Sequence, residues 1–225
     1  PPVPGATHTA RKIAARRETK NPLARTFFAV HHGSPSDMKP DSPLVIAIDG
    51  PAASGKSTVA RRVASRLGLL FVNSGAMYRG FTWWVLENGI DPADNVAVLS
   101  LLEATVFECG EKNGAGTLAV AGYPLGDEQL SAEAVNRNVS AVATIPAVRE
   151  RLVAEQRRYG KEAGVVMEGR DIGTVVFRDT PHKFYIDASP EVRERRRRAQ
   201  GIVDSIAERD RTDSSRETSP LTAAE

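Results

Sequence analysis

The apolar string Leu44-Val45-Ile46-Ala47-Ile48 runs, after Asp49, into Gly50-Pro51-Ala52-Ala53-Ser54-Gly55-Lys56-Ser57-Thr58. A short continuous apolar run reads as a strand buried on both faces, and the stretch behind it has the spacing G-x-x-x-x-G-K-S/T. That pairing constrains the rest of the chain, because such a loop needs a buried strand to deliver it and a helix that begins within it. A backbone that wraps a polyphosphate must aim its N–H groups inward with no side chains in the way, which Gly50 and Gly55 permit. Lys56 supplies a mobile cation for the terminal phosphates, and the Ser57 hydroxyl is an oxygen ligand for Mg²⁺. A helix over 56–67 places its positive end beneath the phosphates. The pattern predicts a nucleoside triphosphate site at Gly50, Pro51, Ala52, Ala53, Ser54, Gly55, Lys56, Ser57 and Thr58, with Ser57 toward the metal.

From residue 42 onward strand-like and helix-like segments alternate, which argues for a parallel sheet covered by helices on both faces. Strands are expected at 44–48, 69–72, 165–167 and 183–186. Helices are expected at 56–67, 76–88, 132–143, 147–160, 190–200 and 203–211. Thr105-Val106-Phe107-Glu108 and Thr117-Leu118-Ala119-Val120-Ala121 flank the turn-rich 110–116, so residues 104–131 read as a small antiparallel insert. The chain has 225 residues, 41% of them hydrophobic, which suits one domain with an insertion or tail.

Residues 1–41 differ from the rest, with Pro1, Pro2, Pro4, Pro22, Pro35 and Pro40 among the basic Arg11, Lys12, Arg16, Arg17, Lys20 and Arg25. They show little apolar periodicity and read as a disordered extension. An arginine-rich transit segment is one reading; the favoured one takes Met38 as the functional start, since it leads straight into the first strand. The net charge of +2 gives no argument for nucleic acid, and the single Cys109 fits a reducing compartment, the cytoplasm. There is no membrane-length apolar run and no secretory signal pattern.

A phosphate loop alone does not separate switches, ATPases and kinases. The strings Asp-x-x-Gly and Asn-Lys-x-Asp of guanine-reading switches do not occur. Asn73-Ser74-Gly75-Ala76-Met77-Tyr78-Arg79 follows the second strand, and Glu168-Gly169-Arg170-Asp171-Ile172-Gly173-Thr174 follows a later one. Both lie at the carboxyl edge of the expected sheet, where open α/β folds place ligands. Each delivers an arginine toward the phosphate loop, and two guanidinium forks there suit a second phosphate group in line with the first.

With these motifs, Ser140 followed by Arg149, and Glu208-Arg-Asp-Arg-Thr-Asp213-Ser-Ser-Arg216, residues 44–225 resemble the bacterial-type cytidylate kinases. These are P-loop nucleoside monophosphate kinases with an α/β P-loop NTPase fold, an enlarged monophosphate-binding region and a lid. The resemblance implies ATP-dependent phosphorylation of CMP or dCMP, with Mg²⁺ accompanying ATP. It implies that Arg79, Arg170 and Arg216 hold the acceptor phosphate. Ser74 belongs to that acceptor region. Ser140, Arg149 and Asp171 would read the cytosine edge, and Arg209 and Asp213 would meet the ribose. Lys56, Arg170 and the lid arginines Arg196 and Arg197 would act on the transferring group. A base with an amine beside a ring acceptor needs an acceptor and a donor side by side, which an acid with an arginine or serine provides.

The run Arg193-Glu194-Arg195-Arg196-Arg197-Arg198 also invites a nucleic-acid reading, ranked below the lid because the total charge is near neutral. Asn73 stands where the family carries an aspartate. The lid, about 190–205, is short, which predicts less reach for its arginines. Family members continue through a further strand and helix past the position of Glu225, so a missing C-terminal segment is expected. A monomer with small-molecule partners only is the expected state. A kinase of another small acceptor, a nucleotide-dependent RNA binder and an inactive truncated relative remain the alternatives.

Overall fold

The computed structural model describes residues 43–199, 210–211, 215 and 221–223. The extension at 1–41, the helix expected at 203–211 for most of its length, and Arg209, Asp213 and Arg216 lie outside the described residues.

Strand β1, Val45–Asp49, is followed by α1, Lys56–Leu67, then β2, Leu70–Asn73, and α2, Ser74–Glu87. Helix α3 is Asn95–Ala104, β3 is Phe107–Lys112, β4 is Ala115–Val120 and β5 is Tyr123–Pro124. Helices α4, Asp127–Ser131, α5, Glu133–Thr144, and α6, Pro146–Glu162, precede β6, Val165–Gly169. A π-turn over Ile172–Val176, strand β7, His182–Tyr185, and helix α7, Pro190–Ala199, complete the described elements. The sheet order is β3-β4-β2-β6-β1-β7, with β5 on β4. Strands β2, β6, β1 and β7 are parallel neighbours.

Alternation of strand and helix therefore produces the expected α/β layering. β1 and β6 are almost entirely buried because, apart from Asp49 and Glu168 near their carboxyl ends, their side chains are apolar on both faces. Ala60 and Ala64 of α1 close on Ile46, Ile48, Phe71 and Val166, small residues letting the helix sit near the sheet. Gly68 ends α1 in the left-handed conformation, its N–H donating to the Ala64 carbonyl. Helix α6 buries Val148, Leu152, Gln156 and Tyr159.

Two expectations change. The segment 104–131 is not a separate insert at its strand end: β3 and β4 form the antiparallel hairpin, but β4 also pairs with β2 in parallel and prolongs the main sheet. Its turn is tighter than the turn-rich 110–116 suggests, shrinking to Asn113-Gly114 with φ of 54° and 73°, a compact hairpin turn. Gly116 belongs to the strand because β4 passes close to its neighbours; a Cβ there would lie 2.9 Å from Val72 Cγ2. The second change is α3, absent from the sequence reading. Asp94 caps it, its carboxylate accepting the Ala97 N–H at 3.0 Å, and Val98, Leu101 and Leu102 are buried. Among the described residues no helix is long and apolar enough to cross a membrane.

Candidate active site

The carboxyl ends of β1, β2 and β6 meet at a cavity of about 960 Å³. One wall is the loop from Ala52 to Thr58. The opposite wall carries Ser74, Arg79 and Ser140. Glu168, Arg170 and Asp171 rise from the end of β6, and Arg196 and Arg197 reach in from α7. Of the residues singled out in the sequence and described, Gly50 and Pro51 lie behind the loop and Arg149 lies behind Asp171; the others line this space.

Gly50 cannot be replaced sterically. It has φ of 150°, and a Cβ would stand 2.0 Å from the Ile186 carbonyl oxygen. Helix α1 begins at Lys56 directly after Gly55, so the first N–H groups of the helix open toward the cavity. Lys56 is buried and its ammonium donates to the Pro51 carbonyl at 3.0 Å. The same ammonium lies 3.8 Å from Glu168 Oε2, while the Ser57 hydroxyl donates to Glu168 Oε1 at 2.7 Å. Glu168 has no role in the sequence reading, although it opens the Glu-Gly-Arg-Asp string. A carboxylate at the end of the strand beside β1 was the available signal. The Ser57 hydroxyl and Glu168 carboxylate form a hard oxygen pair of the kind Mg²⁺ takes alongside phosphate and water. Among the described residues the buried Ser54 hydroxyl has no hydrogen-bond partner.

On the acceptor side, Arg170 donates to the Gly50 carbonyl at 3.1 Å, tying the Gly-Arg-Asp loop to the phosphate loop. Arg149 pairs with Asp171, both side chains at most 6% exposed, and also donates to the Ala143 carbonyl at 3.3 Å. Its guanidinium carbon sits 5.5 Å from the centre of the Tyr78 ring. Arg149 thus stands behind Asp171, which lines the cavity. Asn73 caps α2, its side-chain oxygen accepting the Ala76 N–H at 3.1 Å. An amide oxygen serves there as well as the family's carboxylate, so the exchange preserves the turn that carries Ser74 and Arg79.

Arg196 of α7 donates to the carbonyls of Ala53 at 3.1 Å and Ser54 at 2.9 Å, so this helix is tied to the loop. The reduced reach expected for it does not apply to this arginine, because α7 starts just after β7 and crosses the loop directly. Arg193 is buried and bonds both carboxylate oxygens of Asp210, at 2.9 and 2.6 Å. Hydrogen bonding to Asp210 raises its already high pKa further, so it stays charged. These arginines point inward.

A model of the cytidylate kinase family matches residues 46–225. The chain belongs to the cytidylate kinase family. It is 45% identical over 192 residues to a cytidylate kinase of Geobacillus kaustophilus, covering 80% of this chain and 85% of that protein. A cytidylate kinase of Rhodococcus opacus is 42% identical over 196 residues, 82% of this chain and 85% of that one. A bifunctional pantoate ligase/cytidylate kinase of Synechococcus is 45% identical over 194 residues, which is 80% of this chain but 39% of the longer protein. The chain therefore spans about four-tenths of such bifunctional relatives. The mostly parallel sheet flanked by helices is the P-loop NTPase fold of this family.

Proposed function

We propose that the chain transfers the γ-phosphoryl group of ATP to CMP or dCMP, giving ADP and the corresponding diphosphate. One observation carries the reading: a single cavity joins the phosphate loop to Arg79, Arg170 and Asp171, the last paired with Arg149 behind it. Two anionic ligands can lie end to end there, and the Geobacillus and Rhodococcus relatives are named cytidylate kinases.

The loop N–H groups and Lys56 hold the donor phosphates, Lys56 leaving the Pro51 carbonyl to do so. Ser57 and Glu168 would hold Mg²⁺, which neutralises phosphate charge when bound. Arg79 and Arg170 grip the acceptor phosphate, with Arg216 as a further contact, and Arg209 and Asp213 take the ribose. Asp171, oriented by Arg149, accepts from the exocyclic amine of cytosine, while Ser140 meets the ring edge. A buried acceptor aimed at that amine rejects bases without it, because it would be left unpaired. Arg196 and Arg197 neutralise the transferring group once the lid segment at 190–205 closes and excludes water. The attacking phosphate oxygen is already anionic, so no general base is needed. Residues 42–225 form the catalytic domain of a cytoplasmic monomer.

Coupled ADP release with CMP, dCMP, UMP and AMP tests this. Turnover with the cytidine nucleotides well above the others is expected. Turnover that no nucleoside monophosphate stimulates would overturn it.

A further inference from the structure

We propose that Asp49 and Arg157 are positioning residues that clamp the π-turn Ile172–Val176 from both ends, and thereby aim Asp171 at the acceptor base. The proposal rests on the kinase reading for its substrate and deepens it.

Asp49 closes β1, one residue ahead of the phosphate loop, and is 3% exposed. Its two carboxylate oxygens accept the N–H groups of Ile172 at 2.8 Å and Gly173 at 2.7 Å. These are the N–H groups that open the turn, which no carbonyl within a single π-turn can satisfy. At the opposite end Arg157 of α6 donates to the carbonyls of Val176 at 2.9 Å and Val175 at 2.8 Å. The turn thus has an anion on its leading N–H groups and a cation on its trailing carbonyls.

Asp171 is the residue that enters the turn, with φ −147° and ψ 26°, and its own carbonyl accepts the Val175 and Val176 N–H groups. Fixing Ile172 and Gly173 therefore fixes the backbone from which the Asp171 side chain projects. Short π segments favour functional sites because they re-aim one residue. Burial costs Asp49 something: it raises the carboxyl from 3.8 to about 6, against the pull of the two N–H groups. Asp171 pushes the same way as burial, and Lys56 opposes. A carboxylate held there against that cost suits a fixed acceptor that gives each of the two donors its own oxygen, where the amide of Asn has only one.

Asp49→Asn tests the clamp in the full chain, since its amide presents one oxygen and one NH₂ to two N–H groups. Amide exchange at Ile172 and Gly173 should accelerate by about tenfold or more while β1 and β6 keep their protection. KM for CMP should rise by about tenfold with KM for ATP within about twofold, a split that general loosening would not produce. Arg157 is exposed, so Arg157→Gln is a second variant that spares the core, and it should raise KM for CMP in the same selective way. Parental exchange in Asp49→Asn overturns the proposal; should that variant not fold, a parental KM for CMP in Arg157→Gln does so. Absence of CMP turnover in the parent would count against the kinase reading instead, and the exchange measurement decides the clamp in that case.

Discussion

Replacing Asp171 by Asn removes one charge from a buried pair and changes almost nothing in shape. Arg149 and Asp171 are each at most 6% exposed, so the guanidinium left behind has no route to bulk water. It keeps the Ala143 carbonyl and the Tyr78 face, while its Nε has no partner among the described residues. Breaking a buried pair from one side costs about 3–5 kcal/mol; the remaining carbonyl and ring contacts place this case near the lower figure, about 3 kcal/mol. At about 2–4 °C per kcal/mol for a domain of this size, the midpoint should fall by about 6–12 °C. Arg149→Met leaves a carboxylate that lines the cavity beside Arg170 and should cost less, about 1–2 kcal/mol. The double variant Arg149→Met, Asp171→Asn should be more stable than the sum of the single losses by about 2 kcal/mol, because no orphaned charge remains. Urea unfolding followed by Trp83 and Trp84 fluorescence reads all four proteins. A cycle that closes additively, or an Asp171→Asn loss below about 1 kcal/mol, would refute the idea that the pair is a buried, mutually dependent unit.

Further outcomes follow from other parts of the molecule. Asp49 binds its proton more tightly folded than unfolded, since its pKa rises from 3.8 to about 6. Its contribution to stability therefore grows as pH falls through that window, by about 1 kcal/mol from pH 7 to pH 5. Unfolding of the parent against Asp49→Asn at the two pH values should show that change, and a difference independent of pH would contradict it. Cys109 is pushed up to about 11, mainly by burial, so native protein at pH 8 should resist iodoacetamide while urea-unfolded protein reacts fully. Equal labelling rates in the two states would be the contrary result. Phe81 is fully buried against Phe107, with ring centres 5.7 Å apart, and Phe81→Ala should cost about 3–5 kcal/mol in a denaturant titration. A loss under about 1 kcal/mol would mean the site is looser than its packing indicates.

What could be read without coordinates was local. The phosphate loop and the start and end of α1 depend on backbone conformations that neighbouring residues dictate: a glycine, a cap, a helix former. Helix α3 carried the same kind of signal, an Asp94 cap before Val98, Leu101 and Leu102, and was legible though unread. The sheet edge was not, because the parallel pairing of β4 with β2 is decided by how closely a glycine-bearing strand can approach Val72 and Tyr159.

The ordered motifs marked which residues gather at the site, yet only the tertiary structure decided how they act on one another. Register between β1 and β6 sets Asp49 opposite Gly169 and Ile48 opposite Glu168. It thereby brings Glu168 to Ser57 across 111 residues and Asp49 to Gly173 across 124. It also sets Arg149 behind Asp171, which lines the cavity. Sequence near a residue determines its backbone conformation and its chemistry. Which partner that chemistry meets is determined by strand register and packing depth, and these are properties of the whole sheet.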